Sequence, residues 1–154
     1  MTHWLLKSEP DEFSIADLEQ KKIEPWDGIR NYQARNFIRE MKPGEQAFFY
    51  HSSCKSIGIV GLMEIAGTHY EDPLAVNNKS LYFDKKALIN NPWSAIDVRF
   101  KQRFTNILSL DTLKKLANND QRLANLVLLK KGNRLSVMPI TDEQWQCIME
   151  NIAP

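Results

Sequence analysis

Aromatic and short polar side chains recur near the predicted turns and strand ends of this chain, and together they have the chemistry of a site for a flat ring. The aromatic residues are Trp26, Tyr32, Phe49, Tyr50 and Trp93. The polar residues near them are Lys7, Ser8, Glu9, Asp27, Asn31 and Ser52. Stacking stabilises a bound base by about 1–3 kcal/mol, and carboxylate, amide or backbone groups can read its hydrogen-bonding edge. The alternative is that Phe49 and one or both tryptophans are ordinary core residues.

Residues 51 to 54 bear on nucleophilic and metal chemistry. His51, Ser52 and Cys54 lie close in sequence, but adjacency does not supply the convergent geometry of a catalytic triad, and no G-x-S-x-G motif occurs. His51-x-x-Cys54 has the spacing of half a metal site without a second half. Neither phosphate-cradling glycine motif is present. We therefore expect no metal and no cofactor.

Composition indicates a single domain over residues 1–154. Hydrophobic residues make up 43% and charged residues 25% of the 154 residues, which are ordinary globular values. No apolar run is long enough to span a membrane, and residues 1 to 13 lack the pattern of a signal peptide. We expect a cytoplasmic protein with no membrane partner.

The net charge of +1 conceals a basic region. Between Arg99 and Arg134, nine Lys or Arg stand against Asp111 and Asp120. Such a region can face phosphates, although basic runs are usually solvated surfaces. We expect modest affinity for nucleic acid, if any.

Apolar periodicity and turn residues predict strands alternating irregularly with short helices. Strands are predicted over 2–7, 45–51, 56–67, 95–100 and 134–140, and helices from Ser14, from near Asn31, over 110–118 and after Thr141. Residues 68–91 read as a long irregular excursion. This order predicts an α+β domain built around a curled sheet.

The helix that begins near Asn31 has two distinct faces at 100° per residue. Its apolar stripe, predicted to be core, comprises Ala34, Phe37, Ile38 and Met41, and the opposite face carries Tyr32, Arg35, Asn36 and Arg39.

Six collinear segments resemble the EVE domain family. They are WLLKSEP (4–10), WDGIRNYQARN (26–36), AFFYHSS (47–53), GIVGLMEI (58–65), PWSAIDVRF (92–100) and RLSVMPIT (134–141). The resemblance implies a PUA-like fold, in which a curled sheet or pseudo-barrel is flanked by short helices. It also implies a non-enzymatic module that takes a flipped, modified base, such as 5-methylcytosine, into an aromatic pocket. The implied partner is DNA or RNA carrying that base.

The resemblance also assigns the pocket. It places Lys7, Ser8 and Glu9 at the rim or floor, Trp26 as a stacking wall beside Asp27, and Asn31 at the base edge. It places Tyr50, His51 and Ser52 at a strand end facing the same cavity, which Trp93 closes. Arg30 and Arg35 are the phosphate candidates, and the alternative for Arg35 is a solvated helix face.

Two regions depart from the family pattern, and one other function stays open. Asn133 interrupts a glycine–arginine–leucine run, and residues 68–91 match loosely, which leaves the ligand's identity open. The other function is a small enzyme acting on a nucleobase or a nucleotide-like metabolite, with Glu9 or Asp27 as general base and His51 as acid.

Overall fold

The apolar segments form a seven-stranded sheet flanked by four α-helices, as seen in a computed structural model that describes residues 2–152. The strands are β1 (His3–Ser8), β2 (Ile23–Trp26), β3 (Gln46–His51), β4 (Gly58–Ile65), β5 (Tyr70–Glu71), β6 (Ser94–Ser109) and β7 (Val137–Ile140). The helices are α1 (Ile15–Lys21), α2 (Tyr32–Glu40), α3 (Leu110–Asn119) and α4 (Asp142–Glu150). The predicted α+β class is confirmed.

The strands follow the order β2-β6-β4-β3-β1-β7, and β5 pairs with the first residues of β6. The β1–β3 pair is parallel and the other pairs are antiparallel. Register shifts interrupt the β3–β4 and β4–β6 pairs, and such irregularities bend strands. The sheet is therefore curled as predicted, but it is not closed into a barrel.

Alternating side chains divide the apolar residues between two cores, one on each face of the sheet. On β1, Trp4 and Leu6 enter the core that contacts α1 and α2, whereas Leu5 enters the core that contacts α3 and α4. On β3, Phe49 belongs to the first core and Tyr50 to the second. Side chains alternate between the two faces of the sheet, so a residue's odd or even position along its strand decides which core it joins.

Local capping fixes where the helices begin. Ser14 and Asp17 form a capping box at α1, and Thr141 and Gln144 form another at α4, where the sequence predicts that these two helices begin. The side-chain oxygen of Asn31 accepts a hydrogen bond from the Ala34 amide at 2.9 Å. Each cap satisfies amides that the first helical turn leaves without partners.

Three features differ from the sequence prediction. β2 was not predicted because it contains Pro25, which is tolerated there because β2 is an edge strand. β6 runs nine residues beyond Phe100, since its polar second half still pairs with β4. Phe37 is only partly buried, packing against Trp4 at a ring distance of 6.0 Å. No helix within residues 2–152 is both long and apolar enough to cross a membrane.

Candidate functional site

The ends of three strands and the segment before β7 surround a cavity of about 550 Å³. This volume falls within the roughly 300–1,000 Å³ of small-molecule sites. The lining residues are Lys7, Ser8, Glu9, Glu12, Phe13, Glu24, Pro25, Trp26, Asp27, Gly28, Ile29, Ser52, Ser53, Tyr82, Arg134 and Ser136.

Strand pairing brings these distant residues together. Because β1 and β3 are parallel, they end on the same side, and the Ser52 amide donates to the Ser8 carbonyl at 3.0 Å. Because β7 is antiparallel to β1, it begins there, and the Lys7 amide donates to the Ser136 carbonyl at 2.8 Å. The curl of the sheet brings the end of edge strand β2, and with it Trp26, to the same cavity.

Trp26 forms an aromatic wall. Its ring meets Phe49 edge-on at 5.2 Å and Phe13 edge-on at 6.2 Å, so its orientation is fixed by packing. The side chain is buried, yet its indole N–H has no hydrogen-bond acceptor among residues 2–152. Trp26 therefore belongs to the core and also offers the cavity a donor without a partner.

Tyr82 forms a second aromatic surface, although it comes from the irregular excursion. A Cβ atom on Gly28 would lie 3.0 Å from the Tyr82 ring, so the ring packs directly on the Gly28 backbone. The Tyr82 hydroxyl donates to the Glu12 carboxylate. Tyr82 thereby bridges the loop after β2 and the loop after β1.

A buried ion pair ties the excursion to the loop that carries Trp26. Asp72 is fully buried, and its Oδ2 accepts hydrogen bonds from the Gly28 amide and from Arg30 Nη1, each at 2.9 Å. Arg30 also donates to the Tyr82 carbonyl through Nε at 3.0 Å and Nη2 at 2.7 Å. Asp72 and Arg30 thus set the positions of Gly28 and Tyr82 relative to one another.

The cavity carries more acidic than basic side chains. The lining contains Glu9, Glu12, Glu24 and Asp27 against Lys7 and Arg134. Burial, reinforced by the negative charge of Asp72, raises the pKa of Asp27 to about 6. Burial also lowers the pKa of Lys7 from its ordinary value. Such a site is suited to accept hydrogen bonds from a ligand that carries an amine.

Comparisons with known proteins decide the family. The family model described as EVE domain matches residues 2–151. This chain belongs to the EVE domain family.

Relatives of this EVE domain span nearly its whole length. Human thymocyte nuclear protein 1 is 40% identical over 164 residues, covering 96% of this chain and 72% of the relative. A Pseudomonas syringae protein of known crystal structure is 51% identical with a TM-score of 0.91, covering 96% of this chain and 97% of that one. Human THYN1, crystallised in complex with DNA containing 5-methylcytosine, is 39% identical with a TM-score of 0.92, covering 100% of both chains.

Six of the ten ligand-binding residues predicted for this EVE domain line the cavity. They are Lys7, Ser8, Glu9, Trp26, Asp27 and Ser52. These residues lie close together because the parallel strands β1 and β3 end on the same side of the sheet, and because the end of edge strand β2 reaches the same cavity.

Two predicted residues, Asn31 and Trp93, lie outside the cavity lining. Asn31 is exposed and caps α2. Trp93 is buried, stacks on Tyr32 at a ring distance of 4.8 Å and donates its indole N–H to Asp84 at 2.8 Å. Trp93 is therefore engaged in packing the excursion against α2.

The other two, Tyr50 and His51, are also engaged elsewhere in the EVE domain. Tyr50 belongs to the core on the opposite face of the sheet, and burial raises its pKa to about 12. His51 Nε2 accepts a hydrogen bond from the Ile15 amide at 3.1 Å, which requires a lone pair on that nitrogen. Burial and then Arg103 lower the pKa of His51, so its neutral form is favoured. This state does not suit the predicted general acid.

The two predicted phosphate contacts also bind other parts of the EVE domain. Arg30 is held by Asp72 and the Tyr82 carbonyl. Arg35 donates to the Pro92 carbonyl at 3.2 Å and to Asn36 at 2.8 Å, and it lies over the exposed Tyr32 ring. Both predicted phosphate roles stay predictions.

Tyr82, Glu12 and Arg134 line the cavity but were not predicted. The sequence around Tyr82 does not indicate that this residue lies at the cavity. Its position depends on the long-range Asp72–Arg30 pair, which holds the excursion against the loop after β2. Arg134 lies in the RLSVMPIT segment, and its position depends on the long-range pairing of β7 with β1. Among residues 2–152, no group of three or more His, Cys, Asp or Glu side chains is arranged to hold a metal ion.

Substituting alanine at Gly28 is expected to weaken ligand binding, and Gly44 offers a matched control. Both glycines have positive φ, at 74° and 91°, so both alanines carry the same kind of backbone strain, about 1 kcal/mol. Only at Gly28 would the new Cβ press on Tyr82, because nothing lies within 4 Å of the corresponding position at Gly44. A ligand that contacts Tyr82 in the cavity should therefore bind more weakly to Gly28→Ala alone in titrations, and equal affinities would contradict a role for Tyr82.

Proposed function

We propose that this EVE domain binds DNA that carries a modified cytosine and holds the flipped base between Trp26 and Tyr82. The observation that carries the proposal is the cavity of about 550 Å³ bounded by these two aromatic residues. The complex of human THYN1 with DNA containing 5-methylcytosine supports the choice of ligand. Every base has a π-face, so the aromatic walls supply affinity, and the polar groups must supply selectivity.

The base edge is read by Asp27. Cytosine presents its exocyclic amine as a donor, which a carboxylate accepts. The Asp27 carboxylate has a hydrogen bond from its own backbone amide and none from a side chain among residues 2–152, so it keeps acceptor capacity for the amine.

The methyl group is read by contact with apolar surface. Phe13, Pro25 and Ile29 line the cavity beside Trp26 and supply that surface. One methyl group discriminates by only about 1–3 kcal/mol, so we expect a preference of roughly tenfold rather than absolute selectivity for 5-methylcytosine over cytosine.

Phosphate contacts come from the rim of the cavity. Arg134 is exposed, lines the cavity and is flanked by Lys130 and Lys131, so this segment can position the DNA backbone. Arg35 remains the second phosphate candidate from α2.

Binding titrations of Trp26→Phe and Trp93→Phe test the proposed site. Probes are oligonucleotides with one 5-methylcytosine or one cytosine, as DNA and as RNA. Trp26→Phe is expected to lower affinity for the methylated DNA about tenfold, because stacking area is lost. Trp93→Phe is the matched control, since Trp93 is an equally buried tryptophan outside the cavity, and it should bind as wild type.

Three outcomes would overturn the proposal. They are equal affinity of the wild type for methylated and unmethylated DNA, a loss confined to Trp93→Phe, and a preference for RNA. Mass spectrometry of the oligonucleotide after incubation should show an unchanged mass, since a binding module releases its ligand intact. Any turnover would favour the enzyme alternative instead.

A further inference from the structure

Leu81 is the most exposed large apolar residue in the described chain, with 98% of its surface accessible. It lies in a turn of the excursion, immediately before Tyr82. Tyr82 lines the cavity, so Leu81 is one residue away from the lining of the proposed base site. The Leu81 side chain is left in water by folding, so a partner that covered it would bury additional apolar area.

The position of Leu81 is fixed by its neighbours. The Tyr82 amide donates to Ser80 Oγ at 3.0 Å, and the Tyr82 carbonyl accepts two hydrogen bonds from Arg30. The Tyr82 ring is held by Gly28 and Glu12. A turn whose backbone is already held in place loses little further backbone entropy when it contacts a partner.

The charges around Leu81 favour a polyanion. Lys79, Lys85 and Lys86 lie within five residues of it and are exposed. The nearest acid in sequence, Asp84, accepts hydrogen bonds from the Trp93 indole and the Lys86 amide. Glu12, which contacts Tyr82, is the acidic group on the opposite side of the turn. The turn thus carries an apolar tip within five residues of three exposed cations.

We propose that Leu81 inserts into the base stack of duplex DNA, in the gap left by the base that enters the cavity. Proteins that open duplexes use leucine and similar apolar side chains as wedges between base steps. Extruding a base costs unpairing and unstacking free energy, which a wedge offsets by covering the newly exposed neighbouring bases. This inference rests on the proposed function, because it requires the base to leave the stack.

Ile89 provides a matched control for Leu81. It is 95% exposed and belongs to the same excursion, but it borders a separate groove with Leu88 and Asn90. Both side chains are fully exposed, so neither Leu81→Ala nor Ile89→Ala removes packing within the fold.

The experiment measures the affinities of the full chain for a duplex and for a single strand with the same central 5-methylcytosine. Leu81→Ala is expected to weaken duplex binding roughly tenfold while changing single-strand binding less than about twofold, because only the duplex has a gap to fill. Ile89→Ala should match the wild type on both probes. A 2-aminopurine next to the target base should brighten on binding of the wild type and less with Leu81→Ala.

The outcomes separate this inference from the proposed function. Equal duplex affinity of Leu81→Ala and wild type, or equal losses on both probes, would overturn the wedge and leave the base site standing. A comparable duplex loss for Ile89→Ala would also overturn it. If the wild type does not distinguish 5-methylcytosine from cytosine on either probe, the proposed function fails and the wedge fails with it.

Discussion

Replacing Asp72 with alanine is expected to lower the free energy of unfolding by about 3–5 kcal/mol, measured by chemical denaturation. The carboxylate is fully buried and accepts hydrogen bonds from the Gly28 amide, the Leu74 amide and Arg30. Its removal leaves two amides without acceptors and leaves the guanidinium of Arg30 largely buried without a counter-ion. The folded Asp72→Ala variant should also bind DNA more weakly. Without the Asp72 carboxylate, the Gly28 amide and Arg30 lose their shared acceptor, and Arg30 is what holds Tyr82.

Glu19→Ala is the control for Asp72→Ala. Glu19 pairs with Arg103 at 3.6 Å, but both side chains are about half exposed, so the loss should not exceed about 1 kcal/mol. Asp72→Asn keeps the shape and one carbonyl oxygen, and a loss smaller than that of the alanine variant is expected. A loss of less than about 1 kcal/mol for Asp72→Ala would contradict the role assigned to this buried pair.

Replacing Asp27 with asparagine is expected to stabilise the free protein and to weaken DNA binding. The pKa of Asp27 is raised from 3.8 to about 6, so between these values the folded protein binds more protons than the unfolded chain. The contribution of Asp27 to stability is therefore present at low pH and is lost as the pH rises from 3.8 through about 6. With solvent screening of this half-buried group taken into account, the stabilisation of Asp27→Asn at pH 7 is about 1–2 kcal/mol.

The binding effect of Asp27→Asn should have the opposite sign. Losing a charged acceptor for the exocyclic amine is expected to lower affinity for methylated DNA roughly tenfold to a hundredfold. Wild-type affinity should fall as the pH drops through about 6, because protonation removes the same acceptor. Glu24→Gln also removes a carboxylate from the cavity lining and is the control for a general charge effect. A variant that binds normally, or whose stability advantage persists at pH 4, would contradict this assignment.

The parts of the fold that could be predicted from sequence depend on local interactions. The capping boxes at Ser14 and Thr141 and the buried Ala34 and Ile38 follow from residues within one or two helical turns. β2 and the second half of β6 could not be predicted in this way, because Pro25 and a polar run become strand only through pairing with other strands.

The site residues at strand ends could be predicted from the sequence, whereas the site residue that comes from the excursion could not. Ser8 ends β1 and Ser52 directly follows β3, two strands that the sequence predicts, whereas Tyr82 is placed at the cavity by hydrogen bonds from Arg30, 52 residues away in sequence. The placement of Tyr50 did have a signal in the sequence. Side chains alternate along β3, so Phe49 and Tyr50 face opposite cores, and only Phe49 packs on Trp26.

The position of β1 between β3 and the edge strand β7 has a consequence for how the protein is made. β1 pairs with β3 on one side and with β7 on the other, so its full hydrogen bonding waits for the last strand of the chain. At ribosomal rates of about 5–20 residues per second, roughly 10 s separate the synthesis of β1 from that of β7. During that interval Leu5 and Leu6 belong to an open strand edge that other chains can pair with. Holding this nascent edge apart from other chains is thus a requirement of the same topology that assembles the cavity.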